Sequence, residues 1–532
     1  MINLTATSPN RRWLVLGFFS LVLLLGLSIF PDYGISMDES ISHDNGLITL
    51  KHVALKINPN WVAADREFER FQTPLEEYYD RDYGVAFETP VAFLERLLHY
   101  DDVRDQYLLR HLCTFLVCFG GMIAIYQLAA RRFQDWRIGL LAAAWLVLSP
   151  RLFAESFYND KDAVFMALFA IATNTGIRLL LRPTIGRVFW HALACAITID
   201  VRIMGVLLPL ATIATLGWRG VRKEVTWTQI AMIGLAYSIL MSGLIVLFWP
   251  YLWPSPLDNF LAAFEKMSSF RWTGTVLYRG ELEPAVDLPW HYVPVWIGIT
   301  TPILYLITGL LGIALVVYEI IRQHWRLWAN EYQLQDVFFL GLCIGPLVAV
   351  VVLHSVLYDG WRQLYFVYPT FLLLAVRGWV ALQQWWPNWA IWSKLLRGMT
   401  VVCLLATAIQ MIYDHPFQNV YFNALVGPNV IERFEVDYWG LGYKQDLAYI
   451  ATHDPHPKIT VYCPGPTPAP TARMMLPDEQ RERITLVDNL ESADYFITDY
   501  RGHPESYPYH EVYQIRADGR RIHSVFQLKM RW

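Results

Sequence analysis

At 532 residues the chain is long enough for three or four soluble domains, but 55% of its residues are hydrophobic and only 17% charged. That balance excludes an ordinary soluble multidomain protein and points to a polytopic membrane protein. A net charge of -4, with no basic stripe or tract, excludes a nucleic-acid partner.

Leu14 to Phe30 is the first run able to cross a bilayer. Arg11-Arg12 precede it, but Pro31-Asp32-Tyr33 follow with no small-x-small cleavage site, so a retained helix is expected. The basic pair places the N-terminus inside. Residues 31–106 then form an external loop, in which Ile41 to Ile57 and Val91 to Leu98 have the spacing of helices lying on the membrane surface. Spans follow at about Leu108 to Ala130, Ile138 to Phe153 and Ala163 to Leu181. Phe189 to Trp218 is basic at both ends and reads as a broken hairpin, with Asp200 and Arg202 near its external turn. After Ile230 to Trp249 comes a second external loop, residues 250–291, dense in Trp, Pro and Tyr. Tyr292 to Ile321, Val337 to Leu353, Leu364 to Leu382 and Leu395 to Tyr413 bring the total to about eleven crossings.

The expected organisation is a transmembrane body over residues 1–413 and a small α/β tail over residues 414–532, outside the membrane. Within the tail, Leu441 to Thr452 has helical spacing, and Lys458 to Cys463 and Asp494 to Thr498 read as strands. Tyr509 to Ile515 and Ile522 to Leu528 resemble a hairpin turning at Ala517-Asp518-Gly519. Cys113, Cys118, Cys195, Cys343 and Cys403 lie in apolar runs and only Cys463 in the tail, so neither a disulfide framework nor a CxxC metal site is available.

Parity gathers four charged pieces on one face: Asp38-Glu39, the turn from Glu155 to Asp162, the Asp200/Arg202 break, and His354 to Arg362. Carboxylates (Asp38, Glu39, Glu155, Asp160, Asp162) stand there beside cations (Arg151, Lys161, Arg202, Arg362) on the side where basic residues are disfavoured. An anionic substrate would explain the cations. Sugar transfer from a lipid phosphate needs this mixture, a carboxylate base for the acceptor hydroxyl and cations for the departing phosphate. Plainer readings stand beside it. Ser36-Met37-Asp38-Glu39 fits a helix capping box, which accounts for Ser36 and Glu39 but not for Asp38. Asp160-Lys161-Asp162 suits a divalent ion or a polar turn, Arg202 can satisfy Asp200, and Tyr358-Asp359-Gly360-Trp361-Arg362 can be an ordinary turn with an interfacial Trp. The histidines lack metal-ligand spacing.

Asp38-Glu39 after the first helix, Asn159-Asp160-Lys161-Asp162, Trp249-Pro250-Tyr251-Leu252-Trp253, Tyr358-Asp359-Gly360-Trp361-Arg362, Tyr421-Phe422-Asn423 and Asp437-Tyr438-Trp439-Gly440 resemble, in order and side, the C-type membrane glycosyltransferases. The branch is that of bacterial relatives of the dolichyl-phosphate-mannose protein mannosyltransferases, and the resemblance covers roughly residues 10–445. It implies a polytopic helical fold, inversion at the anomeric centre and no metal or other cofactor. It matches Asp38 to the catalytic base with Glu39 its neighbour, Asp162 or Asp160 to the second acidic residue, and Arg362 to the lipid phosphate. Gln363 and Gly427-Pro428 depart from the pattern, standing where a basic or histidine partner and a glycine pair are expected.

The expectation is a transferase in a bacterial inner or plasma membrane, moving a sugar from a polyprenyl-phosphate donor to a hydroxyl acceptor outside the cytoplasm, with membrane lipid as its other partner. Asp38, Glu39 and Asp162 are the expected catalytic group. Asp160, Lys161, Arg202, Tyr358, Trp361 and Arg362 are the expected substrate-binding group. The competing expectations are a transporter or flippase of lipid-linked sugars, and a metal-dependent transferase with a lipid-pyrophosphate donor held through Asp38, Asp160 and Asp162.

Overall fold

The computed structural model describes residues 9–268, 272–384 and 390–529. Helix α1 (Pro9–Ile29) stops where Pro31 removes a backbone donor, and a short 3-10 turn, Phe30–Asp32, follows. Helices α2 (Glu39–Ile57) and α3 (Glu88–Leu97) pack together through Leu47, Leu50, Ala54 and Ala92. Ten residues of α2 are buried, while Ile41, Leu55 and Ile57 stay exposed on its other side. Then come α4 (Val103–Phe133), α5 (Trp136–Val147), α6 (Pro150–Tyr158), α7 (Asp162–Leu181), α8 (Ile185–Ile199), α9 (Leu207–Val221) and α10 (Trp227–Phe248). After α11 (Pro256–Ser268), strands β1 (Thr275–Tyr278) and β2 (Glu281–Pro284) form a hairpin. Helices α12 (Tyr292–Thr300), α13 (Ile303–Arg322), α14 (Glu331–Val352), α15 (Tyr368–Gln384) and α16 (Ala390–Tyr413) complete the helical body.

Nine helices are long and apolar enough to cross a membrane among the described residues: α1, α4, α7, α9, α10, α13, α14, α15 and α16, some with the short turn that continues them. The chain is an integral membrane protein. The pair α5 and α6 makes ten if it counts as one span, and the short apolar α8 would bring the number to the eleven expected. Two expected spans differ in detail. Ile138 to Phe153 is broken at Ser149-Pro150 into α5 and α6, bent by 71°. Tyr292 to Ile321 is broken before Pro302, which disfavours helix in the residue ahead of it and leaves α13 as the spanning piece. The break at Asp200-Val201-Arg202 falls where the charges placed it.

Beyond α16, α17 (Tyr443–His453) accompanies a five-stranded sheet of β3 (Ile459–Tyr462), β4 (Ile484–Val487), β5 (Tyr495–Thr498), β6 (His510–Ala517) and β7 (Arg520–Gln527). Its order is β4-β3-β5-β7-β6, with the first three strands parallel and β7 antiparallel to both its neighbours. The β6–β7 turn is Asp518-Gly519, both at positive φ, as a tight two-residue hairpin requires. This turn also docks the sheet: Asp518 accepts from Gln410 Nε2 at 2.6 Å, and its backbone N–H donates to Asp414 Oδ1 at 2.7 Å.

Candidate active site

Asp38 sits at the N-cap of α2, yet its carboxylate makes no capping hydrogen bond. The box expected here is half made: the Ser36 N–H donates to Glu39 Oε2 at 2.6 Å, while the Ser36 hydroxyl turns to the Tyr158 carbonyl. Glu39 is thereby drawn into the interior, where it meets His111 Nε2 at 2.9 Å. Asp38 is left free to turn the other way, onto the floor of an open cavity of about 1200 Å³.

Arg362 organises that floor. Its guanidinium is buried between the rings of Tyr358 and Trp439, 4.7 Å from each centroid. Its Nη1 donates to Asp38 Oδ2 and Asp162 Oδ2, both at 3.0 Å, and its Nη2 donates to Asp359 Oδ2 at 3.4 Å. Asp359 and Gly360 lie at positive φ, a conformation that Asp and Gly tolerate better than other residues. Arg202 takes the other oxygen of Asp162. Asp200, which Arg202 was expected to satisfy, instead has both carboxylate oxygens buried without a hydrogen-bond partner among the described residues, and its backbone carbonyl accepts from the Ala86 N–H at 3.1 Å.

Burial alone would raise the Asp38 pKa, but Arg362 and Lys161 outweigh it and hold the carboxyl below its ordinary value. The side chain keeps 26% of its surface exposed, so this carboxylate is both ionised and reachable. Lys161 lines the same cavity, its ammonium 4.9 Å from the centre of the Tyr83 ring. Tyr358 lines it too, its ring tilted against that of Trp272 with centroids 4.6 Å apart.

Three expected site residues are placed elsewhere. Asp160 accepts from Ser42 Oγ at 3.0 Å and from Arg110 Nη2 at 2.7 Å, and Arg110 also binds Glu88. It therefore does not converge with Asp38 and Asp162 as a metal-ligand set. Trp361 is buried, with its indole N–H on Thr300 Oγ1 at 2.9 Å. Glu39 is the third. Arg151 and Glu155 are likewise internal. Glu155 accepts from Tyr365 Oη and from Asn159 Nδ2, each at 2.7 Å, and Asn159 Oδ1 caps the Asp162 N–H at 2.7 Å. That chain of contacts fixes the start of α7, and so the direction of Asp162.

No family model and no curated protein matches the chain. Among solved structures it is similar to ArnT from Cupriavidus metallidurans in the apo state, at 15% identity and a TM-score of 0.50, over 97% of this chain and 98% of that one. It is also similar to ArnT from Cupriavidus metallidurans bound to undecaprenyl phosphate, at 13% identity and a TM-score of 0.44 over the same shares of the two chains. The chain shares the fold of the apo ArnT structure.

The cavity of this ArnT-like fold has a roof that its motifs did not announce. Pro464 to Thr467, Asp499, Arg501 and Glu505 descend from the sheet, and Glu432 and Glu435 from the segment before α17. Arg501 clasps Asp359 at 2.6 Å and donates to the Tyr438 carbonyl at 3.0 Å, tying the sheet to the loop that carries Arg362. Burial and the nearby Asp359 push the Glu435 carboxyl up to about 8. A lone Arg after a strand carries no sequence signal for such a contact.

Proposed function

We propose that the chain is a membrane glycosyltransferase that takes a sugar from a polyprenyl-phosphate donor and passes it, with inversion, to a hydroxyl acceptor on the outer face. The observation that carries this reading is a partly exposed Asp38, paired with the Arg362 guanidinium, on the floor of a large cavity beside Lys161.

In this reading Asp38 is the general base. Arg362 occupies its Oδ2 and leaves Oδ1 for the acceptor hydroxyl, whose proton must go as its oxygen attacks the anomeric carbon. Lys161 and Arg362, with Arg202 behind them, receive the charge that develops on the leaving phosphate. Asp162 holds Arg362 and Arg202 in place and does not touch substrate, since both of its oxygens are taken and it is buried. Glu39 and Asp160 are positioning residues in the shell behind the cavity, and Trp361 packs the loop. The body over residues 1–413 carries the base and cations, and the tail over 414–532 roofs the cavity and frames the acceptor. Basic helix ends such as Arg131, Arg178 and Arg219 do not line the cavity, and by the positive-inside rule this supports a reading in which the cavity and the sheet face outward.

The test is transfer by the purified full chain in detergent, where no compartments exist, from a polyprenyl-phosphate sugar and with chelator present. Product formation is expected. Transport alone would give no product, and activity abolished by the chelator would move the assignment to a metal-dependent mechanism. Mass spectrometry of outer-face glycans with and without the active protein then names the sugar and the acceptor.

A further inference from the structure

A second cavity, of about 570 Å³, lies between α4, α7 and α8 at their basic ends. Arg178 is sixteen residues along α7 from Asp162, which places it about 24 Å from the candidate active site. The helix faces explain its character. Gly120, Ile123, Ala124 and Gln127 recur on one face of α4, and Ile171, Asn174, Thr175 and Arg178 on one face of α7. Because the two helices run side by side in the same direction, the apolar members share one end and the polar members the other. Arg187 and Trp190 of α8 close the third side.

The arginines here differ from others at basic helix ends. Arg132 pairs with Asp336 at 2.5 Å, Arg377 with Glu319 at 2.6 Å and Arg219 with Glu224 at 3.1 Å. Arg178 instead donates to Gln127 Oε1 and Arg187 to the Arg178 carbonyl at 2.9 Å, while Arg131, which stands behind the lining, donates to Asn174 Oδ1 at 2.9 Å. Among the described residues none of these three makes an ion pair. Arg178 Nε is buried with no hydrogen-bond partner among the described residues. The Gln127 oxygen already accepts from Arg178 and Asn174, so the amide has only its NH2 to offer a ligand. Clustered guanidiniums without a carboxylate partner among the described residues, at the mouth of a slot with apolar walls, suit an anion that carries a chain.

We propose that this cavity binds the phosphate headgroup of an anionic phospholipid of the surrounding bilayer, with an acyl chain laid along the roughly 10 Å from Gln127 to Gly120. Trp190, 61% exposed, stands at the rim where an interfacial aromatic belongs. The site is separate from the cavity of Asp38, and its occupant does not enter the transfer reaction.

The experiment is native mass spectrometry of the purified full chain titrated with phosphatidylglycerol, phosphatidylcholine, polyprenyl phosphate or inorganic phosphate. Wild type is expected to hold phosphatidylglycerol over phosphatidylcholine, and the double variant R178Q/R187Q to bind it about tenfold more weakly, the worth of one lost charge-assisted contact. Gly120→Leu keeps every cation and fills the apolar end. A Cβ there meets only Ile171 Cδ1, at 3.5 Å, so the variant is expected to fold and to lose the lipid equally. Both are expected to keep their thermal midpoint and their sugar transfer in detergent. Equal retention of phosphatidylglycerol by wild type and Gly120→Leu overturns the proposal. So does equal binding of phosphatidylcholine, or a variant-sensitive site that takes polyprenyl phosphate or inorganic phosphate in its place.

Discussion

Two buried arginines flank the turn from Asn159 to Asp162, and they do opposite things with the same chemistry. Arg110 bridges Glu88 and Asp160, sealed among α2, α3 and α4. Arg362 bridges Asp38, Asp162 and Asp359, but one of its carboxylates stands open on a cavity. Asp160 and Asp162 are two residues apart, so one short motif feeds a scaffold on one side and the candidate site on the other. Charge pattern alone does not separate the two; access to the cavity does. The two clusters also differ in proton affinity. Burial pushes the Glu88 carboxyl up to about 8, against the opposing pull of Arg110. Asp38, by contrast, is held below its usual value and stays charged.

The contrast can be broken most severely at Arg362. Arg362→Met removes the buried cation shared by Asp38, Asp162 and Asp359, leaving Asp162 with Arg202 alone and Asp359 with Arg501 alone, and breaking a buried pair costs about 3–5 kcal/mol. Both transfer activity and the thermal midpoint are expected to collapse. Arg110→Met should cost less, about 1–3 kcal/mol, because Glu88 and Asp160 can hold protons instead. Activity per folded molecule should stay within a few-fold of wild type, and a loss as deep as that of Arg362→Met would erase the distinction between the clusters. Lys161→Met should raise the donor KM roughly tenfold, about 1.4 kcal/mol of phosphate binding, while leaving unfolding unchanged.

The smallest effect concerns the sheet. His523 lies between Asp437 at 3.2 Å and Asp446 at 2.7 Å, against the Tyr443 ring and with Asp499 nearby. These carboxylates overcome burial and push the imidazolium up to about 10, above its ordinary value of 6.5. Its contribution is therefore complete below pH 6.5 and lost as pH rises through about 10. Thermal unfolding should show the midpoint falling across that window, and His523→Gln should flatten the dependence.

Much of this was legible because it is local. Apolar run length located the spans, opposing charges located the break at Asp200, and capping logic singled out Asp38 from Glu39, its neighbour. The Asp518-Gly519 turn was readable from two residues. What stayed hidden depends on contacts between distant segments. Arg362 meets Asp38 across 324 positions and Arg501 meets Asp359 across 142. Trp361 reads as an interfacial aromatic until Thr300 is seen to take its indole N–H. Strands β1, β2 and β4 went unread although β3 and β5, also four residues each, were legible, since β1 and β2 lie in a loop dense in Trp, Pro and Tyr that masks alternation.

The central claim is that Asp38, and not its acidic neighbours, moves the proton. The direct measurement is turnover of purified Asp38→Asn and Asp160→Asn under one assay with a polyprenyl-phosphate sugar. Asp38→Asn is expected to lose about 10²–10⁴-fold in rate with an unchanged unfolding midpoint, while Asp160→Asn keeps most of its turnover. Near-normal turnover by a folded Asp38→Asn would contradict the account.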